Sequence, residues 1–271
     1  MERSGTSSLR MPAEHGAWGI LLVPFACAAT LAGAWNWPLL LAALCAVSLF
    51  VLRGSVEAQG GGKALFQPAH LVLGCVGLVA ASLLIFLYQR YQLILAGLAA
   101  VALYLLQRRR AQPGNKTRRE KRSLAAELIG VVLLTLAAPA AWIAALGRLD
   151  AAGAQVWLLN LWFFLGGVLY VKYRVRGVAA HRTFRHLGEK LVFAWPVVLY
   201  HFLLLAFLTC LIFLESFPLA VLLAFVPAIL CANGLLFHLG RRFPIRRLGW
   251  SEVAHSLVFA GLLILVFRSP A

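Results

Sequence analysis

The sequence predicts an all-α polytopic membrane protein, and three observations carry that reading. Of its 271 residues, 62% are hydrophobic and only 13% are charged, with a mean hydropathy of +0.86, so no large solvated surface can be built. The apolar residues fall in runs close to the roughly 20 helical residues that a bilayer core requires, without the alternation of a spanning barrel. The basic residues, finally, gather in alternate connecting segments.

About nine transmembrane helices are expected, near 16–35, 37–52, 69–88, 91–106, 123–146, 154–173, 190–214, 217–239 and 251–267. The second and fourth are short, near 16 residues, and borrow interfacial residues at their ends. Residues 1–15 form a polar cytoplasmic tail, 16–267 a single transmembrane domain, and 268–271 a short outer tail. The tail MERSGTSSLRMPAEHG lacks a small-residue cleavage site after a short apolar region, so the first span is expected to be retained.

Charge orients this arrangement. With the N-terminus in the cytoplasm, the cytoplasmic segments hold Arg3, Arg10, Arg53 and Lys63, eight basic residues in 107–122, six in 172–190 and four in 240–247. The outer side holds only Arg90, Arg148 and Arg268. The positive-inside rule then gives an N-in, C-out protein of the bacterial inner membrane, with basic cytoplasmic loops at 53–68, 107–122, 174–190 and 240–250. The loop QRRRAQPGNKTRREKR is accounted for as an anchor beside anionic headgroups. No nucleic-acid partner is expected, because no aromatic interleaving or recognition fold accompanies the charge.

The remaining ionisable groups share this one-sidedness. Glu2, Glu14, Glu57, Glu120, Glu127, Glu189 and Glu252 fall on the cytoplasmic side, against Asp150 and Glu215 outside. His15, His70, His181, His186, His238 and His255 stand near cytoplasmic helix ends, whereas His201 sits eleven residues into the seventh span. Acids and histidines scarcely obey insertion rules, so their gathering needs another cause. Pairing with the basic residues and helix capping explain part of it; a polar cavity open to the cytoplasm explains the rest. Glu252 and His255, three residues apart, share one helix face. Glu14 and His15 open the first helix, His70 opens the third, and Glu127 lies one turn into the fifth.

The candidate proton-transfer or orienting groups are therefore Glu14, His15, Glu127, Glu252 and His255. Candidate ligand-binding groups are His70, His201 and His238, with Arg53, Arg174, Arg176, Arg182 and Arg185, whose guanidinium groups grip phosphate bidentately. His201, costly in a bilayer, is expected either to bond Asn160 or Asn233 or to serve a ligand or proton. Pro24, Pro139, Pro196 and Pro227 interrupt helices one, five, seven and eight, as in a bundle that encloses a pocket. Small-residue clusters such as LGGVLY (165–170) permit close helix contact. The five cysteines, Cys27, Cys45, Cys75, Cys210 and Cys231, all fall in apolar runs without a CxxC pair, and are expected to be packing thiols.

The opening EHGAW, running straight into the first span, resembles the YwiC-like family of bacterial membrane proteins; so does the late segment FPIRRLGWSEVAHSLVF, with YVKYRVRG as a weaker echo. That resemblance implies a multi-helix membrane protein and supplies no reaction. The bundle also looks, in layout, like the UbiA-type intramembrane prenyltransferases. These hold a prenyl diphosphate through magnesium, with two aspartate-rich motifs after helices two and six. Here those loops read RGSVEAQGGGK and KYRVRGVAAHRTFRHLGEK, and the only aspartate of the chain is Asp150, on the far side. A magnesium-diphosphate site of that kind is not expected, since carboxylates are wanted to hold the ion.

The leading expectation is a protein whose Arg/Glu/His-lined cytoplasmic pocket binds or processes an anionic lipid, isoprenoid or other anionic amphiphile, with membrane lipids as partners. Whether it is an enzyme is left open, as are its cofactor and its oligomeric state. A proton-coupled secondary transporter using His201 and the glutamates is one alternative, although no internal repeat supports it. An intramembrane metal or haem site is another, because Glu252-x-x-His255 has the spacing of di-iron carboxylate bundles; no residue is assigned as a metal ligand. Glu14 and His15 are expected to line the mouth of a pocket shared with the ninth span.

Overall fold

A computed structural model of the chain describes residues 15–59, 67–111, 116–179, 184, 186–239 and 244–268. Among these residues the regular secondary structure is all helical. The helices are α1 (His15–Ala32), α2 (Trp37–Ala58), α3 (Pro68–Ser82), α4 (Gln92–Ala111), α5 (Lys116–Thr135), α6 (Ala137–Leu146), α7 (Ala151–Ala179), α8 (Leu187–Phe193), α9 (Trp195–Phe213), α10 (Val221–His238) and α11 (Ile245–Arg268). A π-helical segment, Leu83–Leu87, extends α3. Among the described residues, six helical stretches are long and apolar enough to cross a membrane: Trp37–Ala58, Pro68–Leu87, Leu124–Leu146, Ala151–Val178, Trp195–Phe213 and Arg247–Arg268. Gly16–Ala32 and Val221–Cys231 are shorter apolar helices. This is the pattern of a multi-pass membrane protein.

Each apolar run read from the sequence contains helix, but the ends differ. α1 stops at Ala32, α10 begins only at Val221, the run 190–214 divides into α8 and α9, and four helices overrun their expected ends. α2 continues to Ala58, α4 to Ala111 and α7 to Ala179, while α11 begins at Ile245. Much of each expected basic loop is thus helix. The physical reason is local: a charged residue one turn beyond the apolar run can snorkel or pair along the helix, so the ladder need not stop where hydrocarbon ends. In α2, Arg53 Nε donates to Glu57 Oε1 at 3.1 Å, an i,i+4 pair that holds the last turns together.

Proline acts differently at different sites. Pro139 cannot donate to the carbonyl of Thr135, and the fifth span divides there into α5 and α6. The buried Thr135 hydroxyl turns back to the Val132 carbonyl and accepts from Trp157 Nε1 at 3.3 Å. Pro196 opens α9 after the break at Ala194. Pro24 and Pro227, by contrast, ride inside α1 and α10 without dividing them.

α6 is the most enclosed element, with eight of its ten residues buried. Its sequence AAPAAWIAAL is small enough to let α1, α2 and α7 close around it. A second part of the core joins α7, α9, α10 and α11, where Phe163 and Phe259 stack 4.0 Å apart and Phe225 meets Phe259 edge-on. The outward faces of α3, α4 and α9 carry Leu78, Phe86, Leu95, Leu98 and Phe202, all well exposed, as lipid-facing residues would be.

Contacts between helix ends divide into two groups. At one end Arg53 Nη2 donates to Gln107 Oε1 at 2.7 Å, His70 Nε2 meets Ser55 Oγ at 2.7 Å, and Lys172 Nζ donates to Glu127 Oε2 at 2.6 Å. At the other, Asn36 Nδ2 donates to the Ala145 carbonyl at 2.9 Å, the Leu149 amide to Gln92 Oε1 at 2.6 Å, and Arg268 Nη2 to the Thr30 carbonyl at 2.6 Å. Exposed aromatic residues stand near both, Trp35, Trp37 and Tyr91 at the second end and Trp195 and Trp250 at the first, the placement of interfacial belts.

Close approach of α7 to α6 depends on Gly153, where an added Cβ would meet the Trp142 indole at 2.6 Å, at ring atoms that cannot swing away. Gly153→Ala is expected to lower stability by about 1–3 kcal/mol. Thermal unfolding in detergent, with Gly97→Ala on the open face of α4 as a neutral comparison, checks this.

Candidate functional site

A cleft opens between α7, α9, α10 and α11, lined by Phe163, Gly166, Gly167, Tyr170, His201, Ala228, Cys231, Glu252 and His255. It lies about seven residues along α11, roughly 10 Å of helical rise from Ile245. The space is small, about 20 Å³, enough for a water or the tip of a polar group.

Each helix contributes for a local reason. Residues three apart on α11 bring Glu252 and His255 to one face, with Nδ1 and Oε1 3.7 Å apart. That is an ion pair by distance when the imidazole is protonated, and longer than a hydrogen bond. On α7, glycines remove two side chains: a Cβ at Gly166 would strike the Tyr200 ring at 2.6 Å, and one at Gly167 would lie 3.3 Å from Glu252 Oε2. The carboxylate therefore reaches the α7 backbone surface. Glu252 Oε1 is buried and has no hydrogen-bond partner. One turn along α7, the Tyr170 phenol lies within electrostatic range of Glu252, Cys231 and Arg174.

α10 brings Cys231, whose sulfur lies 3.2 Å from His255 Nε2 and 3.5 Å from Nδ1. Two distances so nearly equal place the sulfur over the imidazole ring, so a turn of the ring is needed to aim the Nε2 lone pair at the thiol. With Glu252 nearest Nδ1, the tautomer protonated on Nδ1 leaves Nε2 as the acceptor for the thiol. On α9, His201 Nδ1 lies 2.7 Å from the Val197 carbonyl of its own helix, one turn back. A carbonyl only accepts, so Nδ1 carries the proton. Asn160, one of the partners considered for His201, instead donates from Nδ2 to the Val156 carbonyl at 2.8 Å, and the side chain of Asn233 lies outside the described residues.

Of the residues singled out in the sequence, the structure brings Glu252, His255 and His201 together. Arg174 stands nearby on α7, and Arg176 lies over the Tyr173 ring at 5.6 Å. Two others serve a different junction: Arg53 bonds Gln107 and covers the Tyr104 ring at 5.1 Å, while His70, 1% exposed, meets Ser55. Glu127 pairs with Lys172 between α5 and α7. Glu14, Arg182 and Arg185 lie outside the described residues, as do the side chains of His15 and His238. α1 does pack against α11: a Cβ on Gly19, one turn after His15, would lie 4.0 Å from Ser256 Oγ.

Sequence reasoning missed Cys231 and Tyr170. A single thiol or phenol in an apolar run carries no spacing signal of its own. The one available pointer was the glycine pair in LGGVLY, which marks where another helix comes close. Among the described residues no group of three or more His, Cys, Asp or Glu could hold a metal ion.

A YwiC-like protein family model matches residues 11–142, which span α1 to α6. Over 257 residues the chain is 28% identical to a protein of Bacillus subtilis (strain 168) described as "Uncharacterized protein YwiC", covering 94% of this chain and 97% of that one. This longer match extends across the four helices of the cleft. No solved structure matches the chain.

The buried bond between α2 and α3 is open to test. Ser55→Ala would leave the His70 imidazole without that partner, a loss expected at about 1–3 kcal/mol. Thermal unfolding of the purified protein measures it, and Ser55→Thr, which keeps the hydroxyl, should lose less.

Proposed function

As a multi-pass membrane protein of the YwiC-like family, this chain, we propose, receives the polar head of an anionic lipid or isoprenoid in the cleft between α7, α9, α10 and α11. In this reading it is an N-in, C-out bundle of nine spans in the bacterial inner membrane. The first and eighth spans are the shorter helices α1 and α10, and the fourth is α4. The cleft then opens toward the cytoplasmic leaflet. The likeness to UbiA-type prenyltransferases enters as an arrangement of helices only, without the magnesium site.

The observation that supports the reading is the meeting of Glu252, His255, His201, Tyr170 and Cys231 from four helices around one opening. Ionisable groups at membrane depth are expensive and face functional interiors. A space of about 20 Å³ admits only the end of a head group, so the tail lies along the lipid-facing surface of the helices. Arg174, one turn beyond Tyr170, and Arg176, over the Tyr173 ring, supply positive charge on the side from which an anionic head arrives.

A proton-coupled transporter is the second reading, and the joining of His201 to Glu252 and His255 favours it. A neutral His201 with its proton on Nδ1 presents Nε2 as a proton acceptor. Uptake into liposomes that follows an imposed pH gradient would select it over lipid binding.

Native mass spectrometry of gently purified protein tests the first reading. A co-purifying anionic amphiphile is expected, with occupancy at least severalfold lower in Arg174→Ala and Glu252→Gln. Protein that carries no lipid, or carries the same amount in both variants, would overturn it. The orientation has its own check: a periplasm-dependent reporter fused after Ala271 should be active, and the same reporter inserted at 112–115 inactive.

A further inference from the structure

We propose that Cys231 is the nucleophile of an acyl-transfer site, with His255 as its general base and Glu252 as the group that positions His255. The inference rests on the reading that the cleft receives a lipid head, and it names that lipid's reactive part: an ester or thioester carbonyl.

Nucleophilic catalysis by cysteine needs a thiol against an imidazole and a third group that fixes the imidazole's tautomer. All three are present. The Cys231 sulfur is 3.2 Å from His255 Nε2, and Glu252 Oε1 is 3.7 Å from Nδ1 of the same ring. The second distance is long for a hydrogen bond, as catalytic contacts often are before substrate binds. Glu252 Oε1 is buried and has no other hydrogen-bond partner, so a small ring rotation toward it costs no existing bond of that oxygen. Tyr170 lines the same cleft with a phenolic donor, suited to a carbonyl oxygen that gains negative charge.

The chemistry closes with these groups alone. The Cys231 proton passes to His255 Nε2 as the sulfur attacks the acyl carbonyl carbon. The new C–S bond forms, the carbonyl oxygen takes the electron pair, and Tyr170 donates to it. On collapse the C–O or C–S bond to the leaving group breaks, and His255 returns its proton to the departing alcohol or thiol. The acyl chain is left as a thioester on Cys231. Water or an acceptor alcohol or amine then repeats the sequence in reverse sense and frees the thiol. Neither step changes an oxidation state.

The dimensions suit such a substrate. The cleft admits the tip of a polar group such as a carbonyl oxygen, while the exposed apolar residues Val198, Phe202 and Leu230 on α9 and α10 offer the hydrocarbon chain a path outside.

The test uses the full chain in detergent micelles with 4-nitrophenyl octanoate as the acyl donor. Intact mass and peptide mapping follow each thiol. Cys75 and Cys210, which are exposed, serve as internal references for uncatalysed reaction. Cys231 is expected to acylate at least tenfold faster than either, with an adduct that neutral hydroxylamine removes. His255→Gln and His255→Asn should slow Cys231 about a hundredfold, the scale of general-base catalysis, while leaving Cys75 and Cys210 unchanged. Glu252→Gln should shift the pH–rate profile of Cys231 acylation, and Glu252→Asp should restore part of it. Tyr170→Phe should slow acylation without moving that profile. Reaction at Cys231 no faster than at Cys75, or insensitive to both His255 variants, overturns the proposal. Thermal unfolding in the same detergent shows that a variant still folds. Lipid retained by Cys231→Ala, with no catalysed acylation in the parent, would remove the thiol step alone; absence of lipid with rapid acylation would remove the binding reading instead.

Discussion

Glu252 constrains this structure more than any other side chain, because a carboxylate at the head of the apolar run of α11, with one oxygen buried, needs polar neighbours. Hydrocarbon supplies none. The surrounding helices are arranged accordingly: α7 presents Gly167 where the carboxylate reaches across, α10 presents a thiol, and α11 itself presents His255 one turn later. Each of these could be replaced by a larger apolar residue in a bundle built only for packing. The tight aromatic core nearby, with Phe163 stacked on Phe259, shows that these same helices pack closely where no polar group intervenes.

The rest of the bundle divides the work of stability and of function. α6 and α1 form an apolar, small-residue centre, and polar bonds at both ends tie helices together across long sequence distances, as from Arg268 of α11 to Thr30 of α1. Arg53, Gln107, His70 and Ser55 join α2, α3 and α4 at the end that also holds Glu127 and Lys172. These residues have the composition of a binding site and the connectivity of a clasp. The cleft has the opposite character, with an unpartnered carboxylate oxygen and a histidine bonded to its own helix.

Most of the architecture was legible in the sequence because bilayer and helix impose one-dimensional rules. Hydrophobic runs locate the helices, and spacing by three places Glu252 beside His255 without knowledge of any other helix. His201 stood out because an imidazole so deep in an apolar run needs a reason. The helix ends were less legible: Arg53 and Glu57 look like loop residues until their i,i+4 bond is seen. One-sided charge, too, tells which end a residue occupies but not which partners it meets there, and so could not separate the Arg53–His70 junction from the Glu252–His255 cleft. Cys231 was invisible for the deepest reason. Its significance lies wholly in the packing of α10 on α11, a property of two segments that neither expresses alone.

The central claim is that Cys231 and His255 meet within a shared polar cleft, and infrared spectroscopy of the thiol reads that contact directly. The S–H stretching band of Cys231, identified by its disappearance in Cys231→Ser, should lie at the lowered frequency of a hydrogen-bonded thiol and move upward in His255→Gln. A band at the same position in both proteins would contradict the account.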